Sequence, residues 1–289
     1  MNPVCKRPAR RTLIVIAVLA IFFIVLGPLQ AQCPTPTIFQ TSLLEPNQPG
    51  TEISTERLQQ ILAEGLIPVL DVRFPQEYAI SHIPGAINIP PDSAADPTNV
   101  QHETAEIASR YSPSTPVVLT CNGPFCGKSK RVAKALKDNY GFQQNLVFRY
   151  QLGLPVWRAL GNTVQTDLDG FAYIFNRDFT SVFVDARIPE AFRADTVACA
   201  VNIQPGEANA ANDDGRLPLL DKGARVVVFA DDPQLAKTVA AEIAKKAYWS
   251  SSYFSGTFED LRNSRQIQIH SERRCRSVQR GHAERDGDD

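Results

Sequence analysis

Apolar positions along the chain fall into three kinds of stretch. One is an unbroken run, residues 13–26, with no charge in it. The second kind is short and rich in β-branched residues: 68–72, 116–120, 182–185 and 225–229. Runs of that length predict buried parallel strands. The third kind recurs at helical spacing. Leu58, Ile61 and Leu62 share one face after a capping Ser54. Val132, Ala133 and Leu136 share another, with Gly141 as a stop, and Leu235, Val239 and Ile243 a third. Strands alternating with helices predict an α/β fold with a central parallel sheet flanked by helices.

The pattern occurs twice. Asp71, Arg73 and Pro75 return as Asp185, Arg187 and Pro189, each 114 residues later. Ala86-Ile87-Asn88-Ile89 returns as Ala200-Val201-Asn202-Ile203 at the same interval. Gly-containing turns, Gly153-Leu154-Pro155 and Gly256-Thr257-Phe258, close the two halves. These matches in one order predict two α/β domains of one fold, 51–162 and 170–264, joined near 162–172. A Pro/Thr/Gln-rich linker, 32–50, precedes them. A polar stretch, 265–289, follows and reads as a flexible tail; it holds six Arg and five acidic residues.

Composition adds bounds. The 289 residues are 43% hydrophobic and 21% charged, with a formal charge of −1. Such a chain is not wholly disordered, and its balance argues against a bulk nucleic-acid binder. The average hides an uneven distribution. Lys6, Arg7, Arg10 and Arg11 precede the apolar run, and Gly27-Pro28 closes it. That is the layout of a signal peptide over 1–31, or of an uncleaved anchor bringing residues 12–31 to a membrane. Either predicts an exported, periplasmic or otherwise extracytoplasmic protein, where thiols can oxidise. Six cysteines are too few for a disulfide-dense scaffold.

The chemistry concentrates after the strand 116–120, in Cys121-Asn122-Gly123-Pro124-Phe125-Cys126-Gly127-Lys128-Ser129. A cysteine at a strand–loop–helix turn faces backbone N–H groups and a helix N-terminus, and both favour negative charge. Lys128 is expected to add a cation. Together these lower a thiol pKa and would cradle an anionic substrate. Gly123 and Gly127 are expected to give the loop its backbone freedom. No cysteine–histidine spacing suits a metal. Asp71, Arg73, Glu77 and His82 read as a structural motif that fixes the strand end by hydrogen bonds and ion pairing.

The run Leu70-Asp71-Val72-Arg73, Glu77-Tyr78 and His82-Ile83-Pro84-Gly85-Ala86-Ile87-Asn88-Ile89-Pro90 resembles the first signature of the rhodanese superfamily. Val117 to Cys121 with its Gly-rich loop resembles that family's active-site turn, and Gly153-Leu154-Pro155-Val156-Trp157 its closing segment. The resemblance covers residues 50–162 well and 170–264 more weakly. It implies sulfur transfer from a small donor such as thiosulfate to a thiol or cyanide acceptor, through a cysteine persulfide and without a cofactor. Carried over by position, Cys121 is the nucleophile, with Asn122, Gly123, Gly127, Lys128 and Ser129 binding the anion.

Two departures leave alternatives open. Cys121 to Lys128 spans eight residues where the family usually has six, and Lys stands for Arg. Counting from Cys126 instead puts Arg131 at the sixth position, so Cys126 is an alternative nucleophile or a resolving cysteine. The chain then divides between a sulfurtransferase, a non-enzymatic binding module stiffened by a loop disulfide, and a thiol–disulfide sensor using Cys121 and Cys126. A phosphatase fits less well, because the loop length is wrong and Lys replaces Arg. In the second half Ala230 takes the nucleophile position, and Asp231 and Asp232 would repel an anion, so that half is expected to be non-catalytic. Its Cys199 aligns with Gly85 and is expected to be a packed residue.

Overall fold

The computed structural model describes residues 48–92, 98–218, 220, 223–246 and 250–270. The segment 1–31, read as a signal or anchor, lies outside them. Among the described residues no helix is long and apolar enough to cross a membrane.

The first half runs β1 (Thr51–Glu52), α1 (Thr55–Glu64), β2 (Val69–Asp71), α2 (Pro75–Ile80), β3 (Ile87–Asn88), α3 (Gln101–Arg110), β4 (Val117–Thr120), α4 (Lys128–Tyr140), β5 (Val147–Tyr150) and α5 (Gly153–Ala159). Its sheet has the order β1-β5-β4-β2-β3, all parallel. The second half runs β6 (Val164–Thr166), α6 (Leu168–Arg177), β7 (Val182–Asp185), α7 (Pro189–Ala194), β8 (Thr196–Val197), β9 (Val201–Asn202), α8 (Ala208–Asp213), β10 (Arg225–Phe229), α9 (Pro233–Ala244), β11 (Ser250–Phe254), α10 (Phe258–Asn263) and β12 (Ile269–His270). Its parallel sheet has the corresponding order β6-β11-β10-β7-β9. Helices cover both faces of each sheet, which is why every residue of β4 is buried and its sequence shows no alternation.

The expected helix signals do their work. The Ser54 side chain accepts from the Arg57 N–H at 3.2 Å and starts α1. Gly141, at φ 71°, ends α4.

Two boundaries differ from expectation. Residues 163–169 are not a joint between domains; they supply β6 and the start of α6. A three-residue edge strand, Val164-Gln165-Thr166, is too short to show a period. The polar stretch expected to be flexible from Arg265 begins with folded chain. Ile267 and Ile269 pack into the second core, and β12 pairs antiparallel with β8. Two isoleucines among polar residues carry no periodic signal.

The sequence repeat is a repeat of hydrogen bonds. In β2, Asp71 Oδ1 accepts from the Arg73 N–H at 3.1 Å and from its Nε at 2.9 Å. In β7, Asp185 Oδ1 accepts from the same groups of Arg187, each at 3.0 Å. Asn88 Nδ2 donates to the carbonyls of Asp71 and Arg73; Asn202 Nδ2 does so to those of Asp185 and Arg187. All four ion-pair side chains are nearly solvent-free.

The halves meet along one seam. His82 and Gln165 exchange backbone hydrogen bonds at 3.0 and 2.9 Å. Asp167 N–H donates to the Ala79 carbonyl, and Thr166 Oγ1 to that of Ile80. Here α6 lies directly on α2: a Cβ on Gly170 would sit 1.9 Å from the Ala79 carbonyl oxygen. Only glycine permits that approach.

Candidate active site

The site grows from the carboxyl end of β4. Cys121 is the first residue past the strand, and Gly127 is the N-cap of α4, so the loop occupies the crevice where open α/β sheets bind ligands. Gly123, at φ 109°, turns the chain back. The Gly123 carbonyl then accepts from the Cys126 N–H at 2.9 Å. This fold brings the two sulfurs together. Cys121 is 2% exposed, and its sulfur lies 3.3 Å from the Cys126 carbonyl oxygen and 3.5 Å from Ser129 Oγ. Cys126 is half-buried, and no disulfide joins them.

The two thiols differ in ionisation. Cys126 is pushed down to about 5: the Cys121 thiol donates to it, as do the backbone N–H groups of Lys128 and Asn122, and Arg131 adds positive charge. Burial opposes these effects without overcoming them. Cys121 is pushed up, first by its hydrogen bond to Cys126, then by burial and by the neighbouring negative charge. Of the N–H groups expected to cradle a substrate anion beside Cys121, those of Asn122 and Lys128 are aimed at Cys126, and that of Ser129 at Cys121. The two shifts run in opposite directions, down for Cys126 and up for Cys121.

The other predicted residues divide. Asn122 and Glu77 are brought to the loop, with Asn122 Nδ2 donating to Glu77 Oε1 at 2.7 Å. Glu77 Oε2 also accepts from the Phe74 N–H at 3.2 Å, so one carboxylate ties the loop to the start of α2. Arg73 reaches Asn122 Oδ1 at 3.4 Å while held by Asp71. Gly127 has φ −73°, open to any residue; its lack of a side chain instead makes room for Arg131, whose Nη1 would lie 2.7 Å from a Cβ there. His82 is not at the site. Its ring stacks on Tyr78 at 3.8 Å, and its backbone belongs to the seam.

Lys128 departs from its expected role. Its ammonium is 3.3 Å from Glu103 Oε1 and 4.6 Å from the Phe74 ring centre, so its charge is spent beneath the loop. The cation acting on the sulfur is Arg131, one helical turn along. Glu103 escaped the sequence reading. Its signal is a carboxylate on the buried face of α3, four residues before the buried Ile107.

The second half lacks this machinery. Buried Ala230 follows β10, Asp231 points out, and the Asp232 side chain caps α9 by accepting from the Gln234 N–H at 2.9 Å. Cys199, expected to be packed, is exposed: it takes the left-handed turn position of Gly85, at φ 61° against 87°, which turns its side chain outward.

The family model of the rhodanese-like domain matches residues 54–160. The thiosulfate sulfurtransferase GlpE of Pseudomonas entomophila (strain L48) is 30% identical over 115 residues, 39% of this chain and 91% of that protein. The chain belongs to the rhodanese family. The rhodanese-like domain thus spans α1 to α5 and contains the cysteine loop. Among solved structures, a thiosulfate sulfurtransferase from Pseudomonas aeruginosa shares 19% identity at a TM-score of 0.33, over 74% of this chain and 45% of that one. SseA from Escherichia coli, a 3-mercaptopyruvate sulfotransferase, shares 14% at 0.30, over 70% and 96%.

Proposed function

We propose that the rhodanese-like domain is a sulfurtransferase in an exported or membrane-anchored protein, and that Cys126 is its attacking thiolate. The carrying observation is the convergence on Cys126 Sγ of two backbone N–H groups, the Cys121 thiol and Arg131. The thiolate attacks the outer sulfur of a donor such as thiosulfate. The S–S bond of the donor breaks, sulfite leaves with the electron pair, and a Cys126 persulfide forms. A thiolate or cyanide then attacks the terminal sulfur, takes it, and returns Cys126 as thiolate. No cofactor enters this cycle. The second half supports the first without chemistry of its own.

The test is thiosulfate:cyanide sulfur transfer by the wild type, Cys126→Ser and Cys121→Ser in parallel. The expectation is loss of transfer in Cys126→Ser and a measurable remainder in Cys121→Ser; an inactive Cys121→Ser beside an active Cys126→Ser reverses the assignment. The intact mass of donor-treated protein should rise by one sulfur. The hydrogen bond between the thiols supports one second reading, a thiol–disulfide sensor. It predicts instead a loss of two hydrogens on mild oxidation, with no sulfur transfer.

A further inference from the structure

A single attacking sulfur does not need a second thiol in contact with it, yet the loop supplies one. The Cys126 N–H closes a turn onto the Gly123 carbonyl at 2.9 Å, which folds the chain back and brings Cys126 to Cys121. The Cys121 sulfur lies 3.3 Å from the Cys126 carbonyl oxygen, and the two thiols are hydrogen-bonded to each other. Their exposures differ. Cys126 is half-buried and opens to a donor; Cys121 is almost fully buried, on the inner side of the loop. The one further cysteine among the described residues, Cys199, belongs to the other half.

Loading Cys126 with sulfur changes what Cys121 faces. Before loading, the hydrogen bond to Cys126 pushes the Cys121 thiol up, followed by burial and by the charge of Cys126. The Ser129 hydroxyl, 3.5 Å away, and the Ser129 N–H act in the other direction. Once Cys126 carries a second sulfur, the negative charge moves to the outer atom. Both effects that come from Cys126 then weaken, while the donors of Ser129 stay in place. The outer sulfur stands on the open side, where the donor delivered it. Cys121 stands on the buried side. Attacking and leaving sulfurs thus flank Cys126 Sγ, as thiol–disulfide exchange requires.

We propose that Cys121 is a second catalytic residue, which discharges the Cys126 persulfide as hydrosulfide when no acceptor takes the sulfur. The proposal rests on the sulfurtransferase reading for the persulfide itself. The Cys121 thiol gives up its proton and attacks Cys126 Sγ. A bond forms between the two cysteine sulfurs, and the bond from Cys126 Sγ to the outer sulfur breaks. The outer sulfur leaves with the electron pair and takes the proton, as hydrosulfide. Cys121 is oxidised and the outer sulfur reduced, so no outside oxidant enters. The loop is left as a Cys121–Cys126 disulfide, which an external dithiol returns to two thiols. The domain then has two outputs: sulfane sulfur for an acceptor, or hydrosulfide followed by reduction of the loop.

The test uses no acceptor. The full chain is reduced, loaded with thiosulfate without oxygen, desalted, and followed by intact mass and a sulfide assay. The wild type is expected to pass from one added sulfur to a loss of two hydrogens. It should release one hydrosulfide per chain, at a rate independent of protein concentration. Peptide mapping should place the disulfide between Cys121 and Cys126. Cys121→Ser is expected to take up the sulfur and release it at least about tenfold more slowly. Given thiosulfate again, the discharged wild type should take up sulfur only after treatment with dithiothreitol. A wild-type persulfide that persists, equal release from Cys121→Ser, a disulfide to any other cysteine, or reloading without the reductant overturns the proposal. The wild-type measurements decide the matter even if Cys121→Ser does not fold. A chain that takes up no sulfur removes the sulfurtransferase reading and this proposal together; one that takes it up and keeps it removes this proposal alone.

Discussion

Cys121 and Cys126 are five residues apart, and burial raises both thiols, yet their hydrogen bonds and neighbouring charges drive their acidities in opposite directions. The sign of each shift sets a pH window. A thiol held down to about 5, from an ordinary value of 9.0, is a thiolate throughout the neutral range. Alkylation by iodoacetamide, followed by peptide mass, should therefore label Cys126 before Cys121, with a rate that rises through a midpoint near about 5 and is flat above it. Labelling of Cys121 first, or a midpoint close to that of an ordinary thiol, contradicts the assignment. Arg131→Ala should move the midpoint upward, since it removes one of the charges that hold the thiolate. By linkage, the stability this thiolate contributes is complete above the unfolded thiol's pKa and is lost as pH falls through about 5. Residue types alone exposed the cysteine pair, the Asp71–Arg73 motif and the dead loop at Ala230. They could not say which sulfur ionises, because that depends on where two N–H groups point after Gly123 turns the loop. For the same reason Lys128 read as a clamp: its partner Glu103 is remote in sequence.

The loop between β4 and α4 holds its shape because α5 begins against it. Gly153, at φ 62°, starts α5 so close to the loop that a Cβ there would fall 2.4 Å from the Gly123 nitrogen and 2.5 Å from the Cys121 carbonyl oxygen. Gly153→Ala should therefore displace the loop, lowering sulfur transfer by about tenfold or more and stability by about 2–3 kcal/mol, read by turnover and by chemical denaturation. Gly141→Ala is the control. Its φ of 71° is equally left-handed, but a Cβ there meets nothing within 4 Å. It should cost about 1 kcal/mol and leave transfer unchanged. Unchanged activity in Gly153→Ala would show that α5 does not seat the loop. The strands and longer helices were legible because burial on both faces writes an unbroken apolar run, and burial on one face writes a period. β6 and β12 were not, being two or three residues long and paired at an edge.

At the scale of the whole molecule the two sheets share an order but are not separate bodies. Val164 of β6 packs into the core of the first half, and Ile80 of α2 against that of the second. Gly170 is the narrowest point of that junction. Gly170→Val should force α6 off α2, cost about 3 kcal/mol or more, and split a single urea transition into two. A single transition at the wild-type midpoint would mean that the seam contributes little. The 114-residue repeat was visible from sequence; the seam was not, because it is made of backbone groups and a missing side chain. The paired charges beneath β2 and β7 carry a consequence of another kind, about the order in which such a chain can change. Losing Arg187 alone strands the buried charge of Asp185, at about 3–5 kcal/mol, a large part of what a domain has to spare. The loop above can drift one residue at a time at no such cost. Descent through single substitutions therefore runs like a one-way valve: chemistry is shed stepwise while the scaffold stays locked. Ala230 beside an intact Asp185–Arg187 pair is the arrangement such a valve produces.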